Sequence, residues 1–365
     1  MNEGGTGTQA SGLLQGSNDI FTVGGSGETV LQFDVASVDT DSLNEIGVFL
    51  VDDAQGTING IAPGSPGYLE AALSQAQPIF SVLPNSDSLS DATSGSRQLS
   101  FEAGTQLGFY LVQDGTTAEV LSDLATGQTP PNVFFGTPTA NAGGTDYLET
   151  TGLNDGSFTL GWRDEVGGSD QGFNDVVLTA RATTASAPPV GTQLQQTAQL
   201  ELIDLRTLAG QVLDFNFSVN SEAEYNNTVG LYAVQDEQGT VVDQVTGALL
   251  TPGDAGYAEA AVRQTVFLSE LQSDRNATGT SQLSGGAIYA PYIIANGSQN
   301  EFLSSNPQNQ GDGEQTPIAY FAFQAGNADG VDHSRVFGDN TFGFEDLFGG
   351  GDTDFNDVIF QLNFA

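Results

Sequence analysis

Residues 343–362 of the chain read GFEDLFGGGDTDFNDVIFQL. Five carboxylates, Glu345, Asp346, Asp352, Asp354 and Asp357, fall within thirteen residues of that stretch, with Asn356 among them. Hard cations such as Ca2+ take roughly six to eight oxygen ligands from carboxylates, amide oxygens and backbone carbonyls. A run of the form D-x-D-x-N-D supplies such oxygens densely, and three consecutive glycines let the backbone turn and present its carbonyls without Cβ clashes. With no cation, Asp352, Asp354 and Asp357 would repel one another beside the apolar run Val358-Ile-Phe-Gln-Leu. The competing reading is an ordinary solvated Asp/Asn/Gly turn.

A second copy of the pattern decides between them. Residues 161–178 read GWRDEVGGSDQGFNDVVL, in register with residues 343–360 at a constant offset of 182. This copy keeps Asp164, Asp170, Asn174 and Asp175, but has Gly172 where the later one has Asp354 and Trp162-Arg163 where it has Phe344-Glu345. Its cation site is therefore expected to be weaker or differently completed. The repeat extends upstream: IGVFLVDDAQGTI (46–58) matches VGLYAVQDEQGTV (229–241), PGSPGYLEAAL (63–73) matches PGDAGYAEAAV (252–262), and NAGGTD (141–146) matches NADGVD (327–332). Collinear matches about 180 residues apart mean tandem domains, not a solenoid of short repeats. The division read from the sequence is a flexible segment 1–17, whose Leu13 and Leu14 could instead add a strand to a sheet edge of its own domain or of a neighbour, a first domain 18–182, a Pro-containing linker 183–194 and a second domain 195–365.

The elements that must hold these loops read as strands. Val30–Val35 and Val212–Phe217 alternate apolar and polar residues, and Val48–Val51 and Leu107–Val112 are strand-like runs between Asp/Gly-rich turns. The Pro-Gly-x-x-Gly-Tyr blocks predict a helix, with Ser65 and Asp254 as N-caps and Pro66 at the first helical position. The expected fold is mainly β: two tandem antiparallel β-sandwich or jelly-roll-like domains, each with one or two short helices.

Seven arginines and no lysine stand against 46 acidic residues, a net charge of -39. That excludes nucleic acid and anionic membrane surfaces as partners, and it disfavours a compact state unless cations offset it. Hydrophobic residues still make up 38% of the chain, with 23 phenylalanines, so it is no disordered acidic tail. Cysteine is absent, which removes disulfides, zinc–thiolate sites and thiol nucleophiles. No run of apolar residues is long enough to insert in a membrane. The first twenty residues lack the basic and apolar regions of a Sec signal, which is therefore missing, removed or replaced by another export route.

Other motifs are weaker. The spacing of an EF-hand is not met, and RTX nonapeptides would need several repeats in succession. Gly24-Gly-Ser-Gly27 has no following lysine or helix, so it reads as a turn. Asp39, Asp41, Asp52 and Asp53 read as solvated turns ahead of a second ion site. His333 has Tyr147 as its counterpart, which argues against a catalytic role shared by the two copies.

The Pro63-Gly-x-x-Gly-Tyr68 block with its following Ala-Ala, the Asn-x-x-Gly-x-Asp segment and the Gly-Phe-Glu-Asp…Gly-Asp-x-Asp-Phe-Asn-Asp357 motif resemble the bacterial DUF4114 domain, and the resemblance covers nearly all of both copies. It implies a secreted, calcium-binding β-domain of adhesin-like or surface-layer proteins, and it supplies no catalytic residues. The expectation is an extracellular or cell-surface bacterial module, calcium-binding and not an enzyme. It would act in adhesion or assemble with itself into a layer or filament. The alternative is calcium-dependent, lectin-like binding of a cell-surface polysaccharide. A hydrolase using paired carboxylates ranks lower, because no carboxylate is visibly set apart in apolar surroundings that would raise its pKa.

Overall fold

The structure is a computed structural model and describes residues 12–84, 95–166, 172–196, 200–273 and 275–365. These form two compact units that divide between Pro188 and Pro189.

In the first unit, one antiparallel sheet runs Leu13–Gln15, Phe21–Val23, Gln106–Gln113, Asn44–Val51, Ala76–Val82, with Val133–Phe135 added beside Gln106–Gln113. The other runs Ser96–Glu102, Glu28–Val38, Val176–Ala182, Phe158–Trp162, Leu148–Gly152. Both sheets contribute to a single apolar core: Ile46, Val48, Leu107 and Phe109 from one meet Leu31, Phe33, Leu160, Trp162 and Leu178 from the other. This is a β-sandwich. The opposite face of the first sheet is covered as well, because Phe49, Val51, Tyr110 and Val112 pack under the helices Tyr68–Leu73 and Thr117–Thr126. Burial on both faces is why residues 48–51 and 107–112, within Asn44–Val51 and Gln106–Gln113, read as apolar runs while residues 30–35 alternate.

The second unit repeats this plan. Its outer sheet, Ala277–Ser284, Val212–Ser221, Val358–Phe364, Thr341–Phe344, Ser334–Gly338, has the strand order of its counterpart. The inner sheet runs Ile203–Asp204, Ile288–Ala295, Thr228–Val234, Thr265–Glu270, with Ile318–Phe321 beside Ile288–Ala295, and carries the helices Tyr257–Arg263 and Gln299–Ser305 on its far face. The mainly β, tandem sandwich architecture is thus as the sequence predicts.

Three details differ from the sequence reading. Residues 1–11 lie outside the described residues, while in 12–17 the added-strand form is the one present: Leu13–Gln15 pair with Phe21–Val23 and the Leu13 side chain enters the core. Residues 189–194 are not free linker, since Asn340 Nδ2 donates to Val190 O at 2.8 Å and Gly191 bridges to Asp204. The N-caps of the short helices are Gly67 and Gly256, with φ of 84° and 85°, and not Ser65 and Asp254. Two residues before each helix the chain makes a tight turn instead, in which Ser65 O and Asp254 O accept from Tyr68 N and Tyr257 N. Only glycine enters a helix from that left-handed conformation without strain.

Candidate metal centre

The carboxylate loop of the second domain joins two neighbouring strands, Thr341–Phe344 and Val358–Phe364, which pair antiparallel. It reverses through five residues of positive φ: Gly349, Gly350, Gly351, Thr353 and Phe355. For Thr353 and Phe355 that conformation costs roughly 1–2 kcal/mol each. Phe355 is held there by burial, by the Arg335 guanidinium 4.1 Å over its ring, and by its backbone N–H, which donates to Glu345 Oε1 at 2.7 Å.

Glu345 is the centre of the loop. Its backbone is clamped on both sides by His333, whose O accepts from Glu345 N at 3.1 Å and whose Nδ1 lies 3.0 Å from Glu345 O. The side chain is 0% exposed, and its second oxygen, Oε2, is buried with no hydrogen-bond partner. Carboxylate oxygens of Glu345, Asp352 and Asp354 all lie within 4.8 Å of one another. At that separation, mutual repulsion is roughly 1–3 kcal/mol per ionised pair for effective dielectrics between those of water and a protein surface. Burial, followed by the charges of Asp357, Asp354 and Asp352, pushes the Glu345 carboxyl up to about 8.

A buried carboxyl group with an unsatisfied oxygen, beside two further carboxylates, is a set of hard donors that fits a divalent cation. Gly351 completes the cradle, since a Cβ at that position would overlap Glu345 Oε2. Asn356 Nδ2 donates to Asp354 Oδ2 at 2.8 Å and orients that carboxylate.

The other candidates of this loop do different work. Asp346 accepts from Asn227 Nδ2 at 2.6 Å, across to the residue preceding the inner-sheet strand Thr228–Val234, and its N–H donates to Asp357 Oδ2 at 2.8 Å. Asp346 is buried and Asp357 half-buried beside it, and desolvation followed by the charge of Asp346 raises the Asp357 carboxyl. Carboxylates with raised pKa values are therefore present, contrary to the sequence-based objection to a carboxylate pair. Glu345, however, is sealed from solvent and raised in part by neighbouring acids, which suits a cation better than a substrate.

In the first domain, Asp164 and Asp175 reproduce the second pair. Asp164 Oδ2 accepts from Asn44 Nδ2 at 2.7 Å and Thr40 Oγ1 at 2.6 Å, and Asp164 N donates to Asp175 Oδ2 at 2.8 Å. Asn174 donates to Asp39 at 2.9 Å. Asp170 lies outside the described residues. Among the described residues, Glu345, Asp352 and Asp354 are the one group of three acidic side chains with oxygens within 4.8 Å of one another. Asp52 and Asp53 accept backbone N–H groups of their own turn, from Asn59 and from Gln55 and Thr57.

Several residues central to this geometry were not singled out from the sequence. Asn44 and Asn227 brace one sheet against the other, and their only signal was equivalent placement just inside and just before matching strands. Asp329 Oδ2 accepts Gly349 N at 2.8 Å and lies 2.9 Å from His333 Nε2, so the lone histidine props the glycine turn from beneath. The repeated Asn141 and Asn327 are staples: each exchanges hydrogen bonds with the backbone of Phe135 or Phe321.

The second domain also holds a polar cleft of about 450 Å³, lined among others by Asn226, Asn227, Glu270, Gln272, Asn296 and Glu301. Among the described residues no helix is long and apolar enough to cross a membrane.

Residues 101–183 and 283–365 each match the family described as Domain of unknown function (DUF4114). No curated protein matches the chain. Among solved structures, the N-terminal CBM22-1–CBM22-2 tandem domain of Paenibacillus barcinonensis Xyn10C is similar at 10% identity over 81% of this chain and 77% of that one, with a TM-score of 0.17. At that score the likeness carries no weight for fold or function.

Proposed function

The chain carries the DUF4114 domain twice, and from that premise we propose an extracellular, non-enzymatic bacterial module of structural or adhesive use, whose second domain is completed by Ca2+. The observation that carries the reading is the sealed Glu345 carboxylate, with one oxygen unpartnered and the carboxylates of Asp352 and Asp354 beside it. Glu345, Asp352 and Asp354 would hold the ion, and Asn356 would keep Asp354 in place. The ion would cancel the repulsion that the loop otherwise concentrates, and so pin the hairpin of Thr341–Phe344 and Val358–Phe364 at the edge of the core. Absence of cysteine and a net charge of -39 suit a chain working outside the cell, where calcium is plentiful.

A ligand that binds only the native state stabilises it by mass action, by roughly 4 kcal/mol at a thousandfold excess over Kd. For a domain of this size that is a rise of roughly ten degrees in melting temperature. Melts in millimolar calcium and in chelator test this, and superimposable curves reject it. Light scattering in the same two media tests self-assembly into a layer or filament, which calcium would favour by neutralising opposed acidic faces.

The polar cleft favours a second reading, calcium-dependent binding of a surface polysaccharide. Its amides and carboxylates suit sugar hydroxyls, and Asn227 in its wall bonds Asp346, the neighbour of Glu345. Retention on polysaccharide columns in calcium but not in chelator would select it.

A further inference from the structure

Position 163 of the first domain is the equivalent of position 345 of the second. Each follows the end of a matching strand, Phe158–Trp162 or Thr341–Phe344, and each precedes the buried aspartate that is bonded by Asn44 or Asn227. One position holds the buried acid of the carboxylate cluster and the other holds an arginine. The Arg163 guanidinium lies 5.3 Å from the ring of Tyr147 and 5.5 Å from that of Phe173, and donates to Asp146 O at 2.6 Å. Tyr147 and Phe173 are the counterparts of His333 and Phe355, the two residues that hold Glu345. The guanidinium thus sits among the same framework residues as the carboxylate it replaces.

The surrounding charges change with it. In the second domain the arginine over the phenylalanine ring comes from the neighbouring strand, as Arg335, which pairs with Gly343. The first domain has Glu149 at that place, paired with Gly161. Acid and base have exchanged strands, while a cation over the same ring is kept. Position 354, an aspartate in the second domain, is Gly172 in the first, so the formal charge of positions 345 and 354 together, −2, becomes +1 at 163 and 172.

We infer that the first domain carries its cation within the chain: the Arg163 guanidinium, between Tyr147 and Phe173 and bonded to Asp146 O, takes the place that an ion takes in the second domain, and the first domain takes no ion. This rests on the cation reading of the second domain. A planar, permanently charged group with several donors can serve several oxygens at once and cannot be removed by a chelator. The two domains would then be one design in two states, one responsive to calcium and one indifferent to it.

Trp162, the chain's single tryptophan, is fully buried directly before Arg163, so its fluorescence reports unfolding of the first domain alone. Calorimetric titration of the full chain should count one calcium ion. The tryptophan-detected melting midpoint should be the same in calcium and in chelator, while a separate transition seen by far-ultraviolet dichroism rises with calcium. Arg163→Ala should lower the tryptophan-detected midpoint by several degrees in both media, and Arg163→Lys, which keeps charge without the planar fork, should lower it less. Two ions per chain, a tryptophan-detected midpoint that rises with calcium, or an Arg163→Ala midpoint equal to that of the unsubstituted chain overturns the inference and leaves the second-domain site standing. No calcium uptake at all overturns both.

Discussion

Replacing Glu345 by glutamine should change the sign of its effect with calcium. In the ion-free native state the Glu345 carboxyl is carried from 4.5 to about 8. At pH 7 the native protein therefore keeps a proton that the unfolded chain has released, a penalty of about 3 kcal/mol at about 1.4 kcal/mol per tenfold change in proton concentration. Glutamine has no such penalty. Its carbonyl can still accept from Phe355 N, and its amide in the place of Oε2 can donate to Asp352 or Asp354. In chelator, Glu345→Gln should therefore raise the melting temperature of the second domain by roughly 6–12 °C, using about 2–4 °C per kcal/mol for a domain of this size. In millimolar calcium the order should reverse, because the variant has lost the central ligand and with it the mass-action stabilisation. Differential scanning calorimetry of both proteins in both media is the assay. A variant less stable than the parent in chelator would show that Glu345 is stabilising as it stands, and the reasoning from its unpartnered oxygen would be wrong.

The remaining expectations concern the same loop and its bracing. Because the Glu345 and Asp357 carboxyls are raised in the folded state, their protonation stabilises it most below the unfolded carboxylate range. In chelator, stability of the second domain should fall as pH rises from about 4.5 to about 8, and calcium should flatten or reverse that slope; a chelator profile rising over this window contradicts the assignment. Gly351→Ala places a Cβ against Glu345 Oε2 at a residue with positive φ, so it should abolish calcium uptake and lower stability by roughly 1–2 kcal/mol, as read by titration and denaturant melts. Asn227→Ala removes the amide that donates to the buried Asp346 and should cost about 2–3 kcal/mol, whereas Asn44→Ala should cost about 1 kcal/mol less, because Thr40 still donates to Asp164. Equal losses in urea melts would refute that difference.

Most of the fold was legible because its signals are local. The alternation in residues 30–35 and the apolar runs of residues 48–51 and 107–112 follow from which faces are buried, and the Pro-Gly-x-x-Gly-Tyr block repeats with its helix. The duplication supplied the domain count and located the acidic loop. The sequence could not sort the loop's acids, since Glu345 and Asp346 are neighbours in the chain yet point to different tasks, one toward Asp352 and Asp354, the other to Asn227. That division depends on which side of the strand end each side chain leaves, and on left-handed residues at Thr353 and Phe355 that no propensity predicts. The helix caps were misplaced for a similar reason: Ser65 and Asp254 are good capping types, but the turns after them need glycine at 67 and 256. The edge strand at Leu13 stayed one of two alternatives because two leucines in a Gly/Ser-rich segment show no periodicity until their partner strand is known.

The most direct test of the account is calorimetric titration of metal-stripped, full-length protein with calcium chloride near neutral pH, beside the Glu345→Gln variant. The account predicts saturable uptake of calcium by the parent and none by the variant, with both proteins folded by circular dichroism. Uptake that persists in Glu345→Gln at the same affinity would place the ion elsewhere, and a parent protein that takes up no calcium would contradict the central claim.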